Sequence, residues 1–154
     1  AYPLDPDPRT MNAVPPSPAL PRPEITPINA PYWDALAKGE LIFQSCTCGQ
    51  RWLPPRERCP NCLGTDWRWT RAAGHGVLIS WVVYHVAYHE CFADRLPYNV
   101  AIVELAEGPR LITNVIGCDI ASLRAGIRLE LAVTEEQGIR RAQFRPLPNP
   151  PSPD

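Results

Sequence analysis

Cys46-Thr47-Cys48-Gly49-Gln50-Arg51-Trp52-Leu53-Pro54-Pro55-Arg56-Glu57-Arg58-Cys59-Pro60-Asn61-Cys62 decides how the rest of the chain is read. Two thiol pairs, Cys46/Cys48 and Cys59/Cys62, stand either side of a short linker. A zinc ion takes four thiolates at tetrahedral corners, and paired cysteines on two tight turns supply them from little backbone. Cys59-Pro60-Asn61-Cys62 has the spacing that turns both sulfurs towards one point. Cys46-Thr47-Cys48 is one residue tighter, but alternate residues of an extended segment face the same side, so this pair can chelate too. Gly49 suits the relaxed backbone such a turn demands. The stretch reads as a zinc ribbon with Cys46, Cys48, Cys59 and Cys62 as ligands. On the sequence alone, three other states of these thiols stay open: two disulfides, an iron site, or no metal at all. Nothing resembling an export signal precedes them, and a reducing cytoplasm disfavours disulfides.

Upstream, residues 1–30 are rich in Pro, Asp, Ser and Ala, with few clustered apolar side chains. Such a segment buries too little to order itself and favours extended polyproline conformations. It is expected to be a flexible arm that hugs the surface or wraps a partner. Asn29-Ala30-Pro31 is a helix start, with Asn as cap and Pro in the first turn. Tyr32, Trp33, Leu36 and Ala37 follow at helical spacing until Gly39, so a short helix is expected over Pro31–Lys38. Its aromatic face should pack on the ribbon. Leu41–Gln44 and Arg51–Leu53 read as strands around the first thiol pair, and Trp67–Thr70 as the strand after the second. Trp52, Trp67 and Trp69 give so small a module the apolar cover it otherwise lacks.

Downstream of Gly76 the character changes. Val77–Tyr88 is rich in β-branched and aromatic residues and reads as one long strand that bends to serve two sheet edges. His89–Pro97 reads as an irregular loop. Tyr98–Leu105, Arg110–Ile116, Ile127–Thr134 and Ile139–Phe144 are further strands, with a helical turn at Ile120–Arg124. Five strands with a helical element between the third and fourth is the element order of an OB barrel. The expected fold class is therefore mainly β: a short helix and ribbon over residues 31–71, a five-stranded OB barrel over 72–145, and a Pro-rich tail over 146–154.

The chain has 154 residues and a formal net charge of -1, so no global basic field points to nucleic acid or an anionic membrane. No apolar run approaches the length of a membrane span. Of its 20 prolines, ten lie in Ala1–Pro31 and five in Pro146–Asp154, which leaves the middle for regular structure. A cytoplasmic protein is expected.

Several stretches together resemble a bacterial and archaeal family long labelled domain of unknown function thirty-five. They are Arg51-Trp52-Leu53-Pro54-Pro55-Arg56, Gly74-His75-Gly76-Val77, Pro97-Tyr98-Asn99-Val100-Ala101, Val103-Glu104-Leu105, Glu107-Gly108-Pro109-Arg110 and Gly117-Cys118-Asp119. The resemblance covers roughly residues 31–147 and implies a rubredoxin-like zinc ribbon joined to an OB fold. It also implies a non-catalytic accessory subunit of a thiolase-superfamily acyl-CoA enzyme: a thiolase, a synthase or a lipid-transfer-protein-like aldolase of steroid side-chain degradation. A hot-dog-fold hydratase is the second choice of partner. Structural zinc is the implied cofactor, with a CoA thioester brought through the partner. Cys46 is where the chain departs from the family, its first thiol pair being one residue short.

Other constellations carry less. His85, His89 and Cys91 lie close together, but their spacing suits a metal on neither a helix nor a strand. Tyr84, His85, Tyr88, His89 and Phe92 are expected to form a polar-aromatic rim that meets the partner or an acyl-CoA. Cys118 has no neighbouring His to activate it and reads as a small buried turn residue. Arg124, Arg128, Arg140, Arg141 and Arg145 would suit the phosphates of CoA, but Glu130, Glu135 and Glu136 dilute them. No Gly-rich phosphate loop or acid–base carboxylate pair is present. Two competing readings remain. One is a single-stranded nucleic-acid binder that stacks bases on strand aromatics, which a net charge of -1 disfavours. The other is an electron carrier with iron on the four thiolates.

Overall fold

The computed structural model describes residues 18–148 of the chain. The Pro-rich arm is therefore described from Pro18 onward and the tail only as far as Pro148. From Pro18 the arm does not hang free. Leu20 is buried against Cys91 and Ile139, and its amide donates to Gln137 Oε1 at 2.9 Å. Gln137 Nε2 donates in return to the Pro18 carbonyl at 3.3 Å.

The helix, α1, spans Ala30–Ala37. Asn29 precedes it as expected but does not cap it with its side chain. Its Oδ1 accepts from the Thr26 amide at 2.8 Å and its Nδ2 donates to the Glu24 carbonyl at 2.9 Å. A local partner in the preceding turn has taken the side chain the helix would have used. Gly39, at φ 79°, leads the chain out of the helix. α1 packs on the last barrel strand as well as on the ribbon, so its aromatic face bridges the two rather than covering the ribbon alone.

The ribbon is an antiparallel sheet in the order β2-β1-β3, built from β1 (Ile42–Cys46), β2 (Arg51–Trp52) and β3 (Trp67–Arg71). The barrel sheet runs β6-β5-β4-β7-β8. Its strands are β4 (His75–Tyr84), β5 (Tyr98–Leu105), β6 (Arg110–Thr113), β7 (Arg128–Glu136) and β8 (Ile139–Pro146). β4 pairs with β7 through His75–Val77 and with β5 through Gly76–Tyr84, with a bulge between Leu78 and Ser80. That bulge lets one strand serve two edges. The outer strands meet where Val115 bridges Phe144 in parallel. There the Ile116 amide donates to the Phe144 carbonyl at 2.8 Å, and the Phe144 amide to the Asn114 carbonyl at 3.1 Å. A first strand shared by both halves and a parallel contact between third and fifth strands make the curled five-stranded sheet an OB fold.

Most strand ends fall within two residues of those expected, and three departures are larger. β4 stops at Tyr84 rather than Tyr88, because Tyr84 pairs with the first residue of β5 and the β-prone residues beyond have no ladder to join. The expected irregular loop contains a 3-10 helix, Glu90–Arg95, capped by His89 Nδ1, which accepts from the Cys91 amide at 3.2 Å. β6 ends at Thr113, and the buried Asn99 side chain takes over where backbone pairing stops. Its Nδ2 donates to the Val115 carbonyl at 2.7 Å and its Oδ1 accepts from the Val115 amide at 2.8 Å. One core runs through both modules, from Leu36, Leu41 and Phe43 to Leu78, Val103, Leu129 and Phe144.

Candidate metal centre and its surroundings

β1 delivers Cys46 as its last residue. The turn that follows is closed by two backbone bonds: the Cys46 amide donates to the Gln50 carbonyl at 2.8 Å, and the Gly49 amide to the Cys46 carbonyl at 2.9 Å. Gly49 sits at φ 90°, a conformation glycine adopts without strain. The second turn mirrors the first, with the Cys59 amide donating to the Gly64 carbonyl at 2.9 Å and the Leu63 amide to the Cys59 carbonyl at 3.0 Å. Here the left-handed position falls on Leu63, at φ 60°.

These turns bring the sulfurs of Cys46, Cys48, Cys59 and Cys62 within 4.8 Å of one another. Cys46 and Cys62 are 3.6 Å apart, and Cys48 and Cys59 are 3.7 Å apart. Four sulfurs at zinc bonding distance from one centre lie about 3.8 Å apart along each edge of their tetrahedron. The donor set therefore fits zinc, and the short first pair does not separate Cys46 from the rest. Cys46 and Cys59 are buried, while Cys48 and Cys62 are exposed. The Gln50 amide holds the Cys48 thiol down at about 6. The Gly64 amide also pulls on Cys62, but the three neighbouring sulfurs outweigh it and push that thiol up to about 11. Four thiolates cannot share so small a space without a cation to neutralise them.

Trp52 and Trp67 cover the buried pair in edge-to-face contact, with ring centroids 6.2 Å apart, and Trp67 meets Trp69 at 5.8 Å. Gln44 was missed as a site residue. Fully buried on β1, it donates to the Arg56 carbonyl and accepts from the Arg56 amide, both at 2.7 Å, which clamps the linker between the thiol pairs. Its only signal in the sequence is a polar residue among apolar ones in a strand. Gly64 has a similar role, since a Cβ there would come within 3.3 Å of the Cys62 sulfur.

The remaining candidates fall elsewhere. His89 caps the 3-10 helix and Cys91 is buried with Leu20, so these residues form no metal cluster with His85. The rim residues other than His85 assemble, and they do so around Tyr98. Tyr84 stacks on Tyr98 with centroids 5.2 Å apart and meets Tyr88 edge-on at 6.0 Å, while Phe92 packs against Tyr98 and His89. Cys118 lines a cavity of about 550 Å³ whose walls include no His, Asp or Glu to activate a thiol. The late arginines are largely neutralised across the β7–β8 ladder. Arg145 bonds Glu130 and Arg140 bonds Glu135, both at 2.7 Å, and Arg141 bonds Glu136 at 2.8 Å. Among the described residues, no helix is long and apolar enough to cross a membrane.

Comparison with known proteins matches this architecture piece by piece. Residues 33–68 match the rubredoxin-like zinc ribbon domain of ChsH2, and residues 69–134 match its C-terminal OB-fold domain. The chain belongs to the ChsH2/DUF35 family. A solved structure named Ltp2-ChsH2(DUF35) aldolase is 36% identical with a TM-score of 0.72; the alignment covers 81% of this chain and 98% of that one. A probable enoyl-CoA hydratase alpha subunit of Thermomonospora curvata is 38% identical over 112 residues, which are 72% of this chain but only 34% of that protein. A DUF35 domain-containing scaffold protein of Methanocaldococcus jannaschii is 34% identical over 92 residues, covering 58% of this chain and 64% of that protein. The chain thus spans about a third of the hydratase subunit and nearly all of the aldolase component.

Proposed function

We propose that this chain is a non-catalytic, zinc-binding accessory subunit of a thiolase-superfamily acyl-CoA enzyme, with an aldolase as the leading partner. The observation that carries this reading is the 98% coverage of a relative whose solved structure is an Ltp2-ChsH2(DUF35) aldolase. The hydratase names among the relatives keep a hot-dog-fold hydratase as the second partner class.

In this reading Cys46, Cys48, Cys59 and Cys62 hold one zinc ion. Four sulfur ligands leave no open coordination position, so the ion supplies folding energy rather than chemistry. The cavity beside Cys118 offers its thiol no neighbouring base, and in this reading the partner provides the nucleophile, the base and the main CoA contacts. This chain stabilises the partner and contributes to the wall of the acyl-CoA channel.

Co-expression of the chain with a thiolase-fold partner tests the proposal. A stoichiometric complex carrying one zinc per copy of this chain is the expected outcome. Turnover of an acyl-CoA by the isolated chain would refute it.

A further inference from the structure

One face of the barrel presents apolar side chains that nothing among the described residues covers. On the outer side of β4, β5 and β6, Tyr84 pairs with Tyr98, Val82 with Val100, and Ile102 with Ile112. Ile112 is 75% exposed, Val82 56% and Ile102 37%, and Tyr88 just beyond β4 is 82% exposed. The charges bordering this face, Arg110 and Glu104, close on each other at 2.7 Å. β4 beyond Leu78 also lacks a ladder partner on the side away from β5. Single exposed apolar residues are ordinary, whereas a contiguous uncharged group of them marks an interaction surface.

The relief of the face narrows the occupant. Ile112 stands between two hollows. One, of about 530 Å³, is walled by Tyr32, Trp33, Leu53 and Pro54, and the other, of about 550 Å³, by Tyr98, Asn114, Gln143 and two arginines, Arg95 and Arg141, both paired with Glu136. A partner seated over Ile112 meets both hollows at once. The charges bordering the face and lining its hollows are paired, and the centre around Ile112 is apolar, so the complementary surface is apolar at its centre, which a nucleic-acid backbone is not. The alignment covers 98% of the chain of the aldolase relative, so a surface through which that chain meets a companion has its counterpart in this fold.

We infer that the outer face of β4–β6, with Ile112 as its central anchor, is the surface on which a thiolase-fold companion subunit docks. This rests on the accessory-subunit reading above. A central apolar anchor inserted between hollows is the type of residue on which binding energy concentrates.

The test titrates the Ltp2 chain of the solved relative into the wild-type chain and into Ile112→Glu, with complex formation followed by light scattering. Val82→Glu serves as a second variant, and Ala125→Glu, outside the face, as a control. Wild type and Ala125→Glu should form the complex, and each face variant should weaken it by roughly thirtyfold or more. Ile112 is 75% exposed, so Ile112→Glu should keep its circular dichroism and metal content. Binding by both face variants as tightly as wild type overturns the docking face and leaves the accessory reading intact. No complex with wild type overturns the accessory reading itself. Self-association of wild type that Ile112→Glu abolishes, with no Ltp2 bound, assigns the face to a second copy and overturns the inference. So does hydrophobic-dye binding that appears only when residues 1–17 are removed, because the arm is then the occupant.

Discussion

Three side chains show how single residues carry this fold. Leu63 occupies the left-handed position that Gly49 fills in the paired turn, at φ 60° against 90°. A side chain there costs about 1–2 kcal/mol, and glycine gives part of that back in chain entropy. Leu63→Gly is therefore expected to stabilise the protein by about 0.5–1 kcal/mol in urea unfolding, with zinc content unchanged. Asn99 and Gln44 use their amides as substitute backbone, each making paired bonds to a single residue. Asn99→Ala leaves the buried amide and carbonyl of Val115 without partners and should cost about 1–3 kcal/mol. Neither role is legible in the sequence. A polar residue in a strand looks outward-facing by pattern, and its true partner depends on how a distant segment folds back. The thiols are the opposite case, because two pairs on turn-forming sequence already fix what they converge on.

Among the elements, those punctuated at both ends were the ones the sequence placed well. β5 alternates buried and exposed residues between Pro97 and Glu107-Gly108-Pro109, and its limits are those expected. β4 is shorter than its sequence suggests, because Val83–Tyr88 is β-prone throughout but what ends the strand is the position of its neighbour. The 3-10 helix Glu90–Arg95 was missed because its support is tertiary. Arg95 makes a bidentate ion pair with Glu136 at the end of β7, and its Nε donates to the Cys91 carbonyl at 3.0 Å. The Arg95 hydrogen bonds hold the Glu136 carboxyl below the usual range, with Arg141 adding to the effect. A carboxylate with a depressed folded pKa stabilises the protein above its unfolded value of about 4.3 and loses that contribution as the pH falls through the folded value. The melting-temperature gap between wild type and Glu136→Gln should stay level from about pH 7 to pH 5 and close below about pH 4. A gap that widens on acidification would show that the pair does not work this way. Because the pair is about one-third exposed, the gap should be modest and shrink with added salt.

At the scale of the molecule, ribbon and barrel share one core, in which Leu36, Leu41 and Phe43 join Leu78 and Phe144, and they should unfold as one unit. Metal binding to such a site is folding free energy, so removing zinc with a chelator should cost on the order of 5 kcal/mol or more. It should also lower the barrel's melting together with the ribbon's, in one transition. A barrel that melts unchanged without metal would mean the modules are independent. The OB order was legible from strand count and turn positions, since each expected strand is rich in β-prone residues and the turns between them carry glycine or proline. The apolar outer face was not, because Val82, Ile102 and Ile112 look like core residues until the register of β4, β5 and β6 shows which side they take. The central claim is that this chain does no chemistry but is needed by a subunit that does. Its most direct test is the rate of carbon–carbon cleavage of an acyl-CoA by a thiolase-fold companion, measured with and without this chain, beside the chain alone. The account predicts activity for the pair and none for this chain by itself, with the companion inactive or unstable when alone. Full activity of the companion in the absence of this chain would contradict it.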